Sequence, residues 1–367
     1  MRTAFVIAVA SRLFVFIIAV ASSLIFVVNP ACAHGCGSPQ IPFFNLFSRW
    51  DGEYYADISI NGYSSMIAPK WEFFPLYPAL MGIFGRLLAF ASPLPLTLTV
   101  YVAGFAISNL AFLISIYLFY ALSALVSGSV KTASESAILL AIYPAGVFLS
   151  AVYSESLFLL LIVASLLYWY NGKRVRSGVL GFLAALTRPV GVLLVIPYLY
   201  DTVTDSSNRK SFRSYISIAI IASAYLCFIL YSQIITGMPF ANFVAERLYW
   251  GVTLNPVDLV SLAQETILEY PYIIPYFFVG VGGLCASIVT ARLRAEKIIG
   301  LFSVCLLASY LLTPIISFPR YSLTLLPMYW GLSKLSRSPW VRGLLYGVFL
   351  FLLAVGIGLF ANWYSFY

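Results

Sequence analysis

The stretch RWDGEYYADISINGYSSMIAPKWEFFPLYP, residues 49–78, gathers Asp51, Glu53, Asp57 and Glu72 in a chain that has only 13 acidic residues. A carboxylate beside Trp50 and near Tyr63, partly desolvated, has the properties of a general base toward a hydroxyl group. Asp51-Gly52-Glu53 is also a D-x-E pair that leaves room for a divalent metal, although this spacing is common by chance. Taken singly, each acid has a plainer reading, which is to keep a loop hydrated. Trp50, Tyr63 and Trp71 offer aromatic faces on which a sugar can stack. Later in the chain, YPAGVFLSAVYSES carries Tyr153 and Glu155, ALTRPVGV carries Arg188, and SFPRYSL carries Arg320, each at a junction between apolar runs. An arginine at membrane depth is costly unless it meets an anion, and a phosphate accepts its planar fork in bidentate fashion. Snorkelling or pairing with a nearby carboxylate is the alternative for each arginine. Lys70, in the first loop, is a further cation available to such an anion.

The elements that must position these residues are membrane helices. With 62% hydrophobic and 9% charged residues, the chain has too little polar surface to be solvated as a globule. It reads as an all-α polytopic membrane protein with a single membrane domain over residues 1–367. The formal charge of +8 lies in short basic clusters between apolar runs, where it sets orientation, so no nucleic-acid partner is expected. The apolar run near the start is longer than the ~7 to 15 residues of a signal-peptide core, which favours a retained first helix. Cys32 and Cys36 flank His34, the single histidine, in CAHGC. This spacing falls short of a zinc pattern; a small disulfide or a loop without chemistry is expected. Cys227, Cys285 and Cys305 lie in apolar runs and read as small core residues.

Candidate spans fall at 4–28, 97–126, 134–150, 154–170, 177–200 as two short passes meeting near Arg188, 214–236, 271–291, 297–314, 321–335 and 341–363. Residues 75–92 form one more apolar run. If it crosses, the basic clusters around Lys173, Arg209, Arg292 and Arg337 do not share a face with the amino terminus. If it lies in the interface, all of them fall on the cytoplasmic side. The second arrangement gives about eleven crossings and an outer loop over 29–96 carrying membrane-surface helices. It also places Glu155, Glu246, Glu265, Arg188, Arg247 and Arg320 with Asp51 on the outer face.

Trp50-Asp51, Tyr55, Ile58, Gly62-Tyr63 and FFPLYP resemble the first luminal loop of the PIG-V family, the GPI mannosyltransferase 2 type. YPAGVFLSAVYSESLF and ALTRPVGV are similar to two further landmarks of that family. The resemblance covers the first half of the chain and is weak after Arg188, apart from P-R-Y at Arg320. It implies a GT-C fold and a polyprenyl-phosphate sugar donor, most often dolichyl-phosphate mannose. It also implies that the acid at the WD position, Asp51, is the catalytic base. The chain departs from the family pattern at Glu72, where a small residue is usual, and at Pro189-Val190, where Ser-Asn is usual.

These readings combine into an inverting mannosyltransferase. It transfers one sugar from a polyprenyl phosphate to a hydroxyl of a lipid-linked glycan or glycolipid at the outer or luminal face. Asp51 acts as base; Arg188, Arg320 and Lys70 balance the leaving phosphate; Trp50, Glu53, Tyr63, Trp71, Glu72, Tyr153 and Glu155 contact substrate. Such cations balance a monophosphate, so no cofactor is required. The expected location is the plasma membrane of a prokaryote or the endoplasmic reticulum of a eukaryote. The rival from another class is a transporter or lipid flippase, for which an internal repeat and mid-span ionisable residues are expected. Neither feature is evident. A non-catalytic subunit that retains the fold is a third reading, disfavoured by the intact WD and YSES.

Overall fold

The structure, a computed structural model, describes residues 2–30, 42–205, 211–252, 255–290, 294–313 and 315–366. CAHGC and the basic residues Arg209, Lys210 and Arg292 lie outside them. Among the described residues the secondary structure is all helical. Of the helices in the described residues, four are long and apolar enough to cross a bilayer unaided: α1 (Arg2–Ile25), α4 (Leu96–Ser127), α9 (Phe212–Thr236) and α15 (Pro339–Ala361). The chain is therefore an integral membrane protein. A fifth crossing is formed if Val260–Glu269 and Pro271–Cys285, bent by 101° at their break, act as one span. Between these lie α2 (Asp51–Asn61), α3 (Leu76–Ala91), α5 (Val130–Ala141), α6 (Glu155–Tyr170), α7 (Arg174–Thr187), α8 (Val195–Thr204), α10 (Ala241–Tyr249), α11 (Pro256–Glu269), α12 (Ile274–Thr290), α13 (Arg294–Tyr310) and α14 (Leu326–Leu335).

Two expected spans are not continuous helices. The run 134–150 breaks at Ala141, before Tyr143-Pro144, and 321–335 yields only the ten residues of α14 after a turn containing Pro319. Ten helical residues cover about 15 Å, half of the hydrocarbon thickness. Non-helical backbone survives in such a setting only where protein satisfies its polar groups. Here Arg12 of α1 does so, donating to the carbonyls of Gly146 at 2.9 Å and Ala141 at 3.2 Å and to Ser150 Oγ at 2.9 Å. From α4, Asn109 donates to the Ser150 carbonyl at 3.2 Å and Ser108 to that of Tyr153 at 3.0 Å. The irregular segment 142–154 is thereby fixed in the protein interior, and it delivers Tyr153 and Glu155 to the site.

The break at Arg188 is as expected. Arg188 is extended, with φ −148°, because Pro189 crowds the preceding residue out of the helical region. The turn Pro189–Leu194 then folds back on the end of α7 so closely that a Cβ on Gly191 would lie 2.6 Å from the backbone of Ala184. Helix α3 spans 16 residues and packs on α2 and α4, leaving Phe84, Leu87 and Phe90 on its outer side. At about 24 Å it is short for a crossing. Cys227 and Cys285, expected in the core, are exposed on their helices. Lipid is as apolar as a core, so composition does not separate the two settings.

Candidate active site

The site is assembled from helix ends. Trp50 adopts φ 55° and ψ −116°, a backbone conformation rarely taken by a residue with a side chain. It is held there by the carboxyl end of the chain: its ring meets Trp363 edge-on at 5.2 Å, and Arg49 donates twice to the Ala361 carbonyl, at 2.9 and 3.2 Å. The turn places Asp51 as the first residue of α2, where the helix dipole favours a carboxylate. The Asp51 backbone N–H donates to the Tyr153 hydroxyl at 3.2 Å.

Four charged side chains meet beside this point. Arg320 donates to Asp51 Oδ2 and lies 3.8 Å from Glu155 Oε1, to which Arg188 also donates. The Tyr321 ring faces both guanidinium groups, at 4.9 Å from Arg188 and 5.0 Å from Arg320. Asp51, Glu155 and Arg320 are 4%, 2% and 5% exposed and the Arg188 side chain 15%, so two acids and two bases balance one another largely away from water. Balance does not exhaust their hydrogen-bonding capacity. Arg320 Nε and Glu155 Oε2 are buried without a partner.

The cluster forms one wall of a cavity of 1190 Å³, large enough for a sugar with a phosphate and part of a lipid chain. Glu72, Phe73 and Phe74 continue that wall. Packed beside them, Tyr225 and Leu226 of α9 and Asn242, Glu246 and Trp250 in or just after α10 complete this part of the lining. Leu226, 55% exposed, lines the cavity from α9, one of the helices long and apolar enough to cross a bilayer. Burial, reinforced by the charges of Asp51 and Glu246, pushes the Glu72 carboxyl well above its ordinary range. Burial also raises Glu246, to about 7.

Of the residues singled out in the sequence, Asp51, Glu72, Arg188 and Arg320 line this cavity, and Tyr153 and Glu155 pack against them. The others face elsewhere. Trp71 is fully buried against Phe74 and Phe228, and Tyr63 stacks on it at 4.6 Å while donating to the Phe73 carbonyl. Both rings support the loop from outside the cavity. Lys70 pairs with Asp57 at 2.9 Å. Trp50 packs on Trp363, and Glu53 follows Asp51 by two positions on α2. Side chains so spaced on a helix diverge by about 200°, so D-x-E does not converge on one ion. Among the described residues, no group of three or more His, Cys, Asp or Glu side chains is placed to hold a metal. Sequence reasoning missed Asn242, Trp250 and Tyr321, and left Glu246 as an outer-face acid without a role. The signal was present in ANFVAERLYW, which puts an acid, a base and three aromatic residues into ten positions, nine of them in a short amphipathic helix.

The sequence profile of the mannosyltransferase (PIG-V) family matches residues 36–255, more than half of the chain. The chain belongs to this family. GPI mannosyltransferase 2 of Yarrowia lipolytica is 26% identical over 212 residues, covering 58% of this chain and 55% of that protein. GPI alpha-1,6-mannosyltransferase 2 of Cricetulus griseus is 30% identical over 169 residues, covering 45% of this chain and 34% of that protein. The matched region thus spans about half, or less, of the length of these curated relatives. The fold is similar to that of an oligosaccharyltransferase: the crystal structure of the Archaeoglobus fulgidus enzyme tethered to an acceptor peptide aligns with a TM-score of 0.50 and 14% identity, over 97% of this chain and 55% of that one. The matched segment contains Asp51, Glu72, Glu155, Arg188, Asn242, Glu246 and Trp250; Arg320 lies beyond it.

Proposed function

We propose that this protein is an inverting mannosyltransferase that takes one mannose from a polyprenyl phosphate and transfers it to a hydroxyl of a lipid-linked glycan or glycolipid on the outer or luminal face of the membrane. The observation that carries the reading is the placement of one buried carboxylate, Asp51, beside the buried guanidinium of Arg320 and the partly buried one of Arg188, on a cavity lined in part by the apolar helix α9. Family membership supports mannose as the sugar. In the reaction the acceptor oxygen attacks C1 of the donor sugar and gives its proton to Asp51, while the C1–O bond breaks and its electron pair leaves on the phosphate. Arg188 and the unpartnered Nε of Arg320 offset the phosphate charge where no water competes, a setting in which fixed cations are most effective. The apolar side chains of Val190, Leu193, Leu226 and Ile229 give the polyprenyl chain its path out to lipid. No step requires a metal.

The test uses purified full-length chain in lipid nanodiscs with polyprenyl phosphate [3H]mannose and a total lipid extract of cells lacking the protein. Label should pass to an extract lipid with stoichiometric release of polyprenyl phosphate. Folded protein that leaves the donor intact, yet moves fluorescent lipid between leaflets of vesicles, overturns the reading in favour of a flippase.

A further inference from the structure

The wall of the cavity is charged in sequence. Glu72 feels Asp51 most strongly among its charged neighbours, then Glu246, and the two arginines less. Asp51 in turn meets Arg320, Arg320 approaches Glu155, and Glu155 holds Arg188. The cavity therefore has a cationic end at Arg188 and an acidic end at Glu72, with Asp51 between them. A donor phosphate belongs at the cationic end, where the guanidinium groups of Arg188 and Arg320 attract it.

The acidic end is not merely a run of carboxylates. Asn242 is 1% exposed and spends its amide N–H on the Tyr225 hydroxyl at 3.0 Å, which leaves Oδ1 buried and without a partner. Glu72 Oε2 and the indole Nε1 of Trp250 are likewise buried and unpartnered. All three residues line the cavity. The residues that carry these three atoms share the lining of one cavity, and a ligand seated there offers the hydrogen bonds they lack once the side chains turn to meet it. The set comprises two acceptors, one donor and an aromatic plane, Trp250 itself being braced by Tyr54 at 5.9 Å and Phe73 at 6.1 Å. Sugars are bound by such a combination: hydroxyls donate to carboxylate and amide oxygens, accept from an indole N–H, and present C–H faces to a ring.

We propose that Glu72, Asn242, Glu246 and Trp250 form the subsite for an uncharged hexose of the acceptor, and set which of its hydroxyls meets Asp51. This rests on the transferase reading given above. Both carboxyl groups are pushed upward by burial, which suits an uncharged ring better than an ammonium group or a metal ion. Hydrogen bonds that hold the ring fix the angle at which the attacking oxygen enters, so specificity for one hydroxyl follows from the same contacts.

The variants are Glu72→Gln and Trp250→Phe, each close in shape to the residue it replaces. They are assayed with the same donor and graded amounts of the total lipid extract. The expected result is a rise of about tenfold in the apparent acceptor KM for Glu72→Gln and Trp250→Phe, the worth of one lost hydrogen bond, with donor KM held within about twofold. Octyl α-mannoside should compete with the extract in the wild type and lose potency to the same extent in both variants. Unchanged acceptor KM in folded variants, a rise in donor KM instead, or no competition by the mannoside overturns the subsite while leaving the transferase intact. A wild-type protein that consumes no donor overturns the underlying transferase reading.

Discussion

Replacing Asp51 by Asn tests chemistry and architecture together, because the carboxylate is both the candidate base and the counter-ion of Arg320. The amide keeps the shape of the side chain and removes one negative charge from a buried set of two acids and two bases. Breaking a buried ion pair on one side costs about 3–5 kcal/mol when the remaining charge is left alone. Here Glu155 lies 3.8 Å from Arg320 and offsets part of it, so the lower end of that range is expected. Loss of a general base lowers turnover by roughly 100- to 10,000-fold, or about 3–5 kcal/mol in the barrier. The two losses separate by assay. Stability is read from denaturant or thermal unfolding in detergent, and turnover is normalised to the fraction of protein that binds tritiated polyprenyl phosphate. Donor binding should be unchanged or tighter, since the freed guanidinium has one more bond to give the phosphate. Asp51→Glu should recover little turnover, because one methylene moves the carboxylate by about an ångström out of a near-attack geometry. A folded Asp51→Asn protein within tenfold of wild-type turnover refutes the assignment, as does a fatal Glu53→Gln with a mild Asp51→Asn.

Arg188→Lys and Arg320→Lys keep charge but lose the planar fork, so donor KM should rise about tenfold or more in each; unchanged donor kinetics in both would confine them to structure. Glu246 makes stability depend on pH. Its carboxyl is raised in the folded protein from 4.5 to about 7, so the unfolded chain gives up its proton first and stability falls as pH rises across that window. The span corresponds to roughly 3 kcal/mol, and Glu246→Gln should flatten the profile, leaving the variant more stable than wild type at pH 8; a wild-type profile flat between pH 4.5 and 7 counts against this. For topology, cysteine at the exposed position Asn171 should react only from the cytoplasmic side and cysteine at Glu265 only from outside. Labelling of both from one side would show that the basic clusters do not share a face.

How far the site was legible in the sequence follows from what each residue depends on. Asp51, Glu155, Arg188 and Arg320 were legible because a charged group in a chain this apolar must be either at a helix end or in company, and here it is both. The break at Arg188 was legible because Pro189 acts on its immediate neighbour. Trp71 and Tyr63 were misplaced for a corresponding reason: an aromatic ring in an interfacial loop stacks equally well on a sugar or on Phe228, and composition does not choose between them. The spans over 134–150 and 321–335 read as helices because hydropathy reports only that a segment avoids water. It does not reveal that Arg12, more than a hundred residues earlier, supplies hydrogen bonds that let residues 142–154 leave the helix. Arg12 is thus the counterpart of the cluster of Asp51, Glu155, Arg188 and Arg320: a buried guanidinium satisfied by carbonyls and a hydroxyl, which steadies the segment that carries Tyr153 and Glu155. Its partners are non-local and largely backbone, so the sequence signals the cost of such a residue and leaves its purpose to the fold.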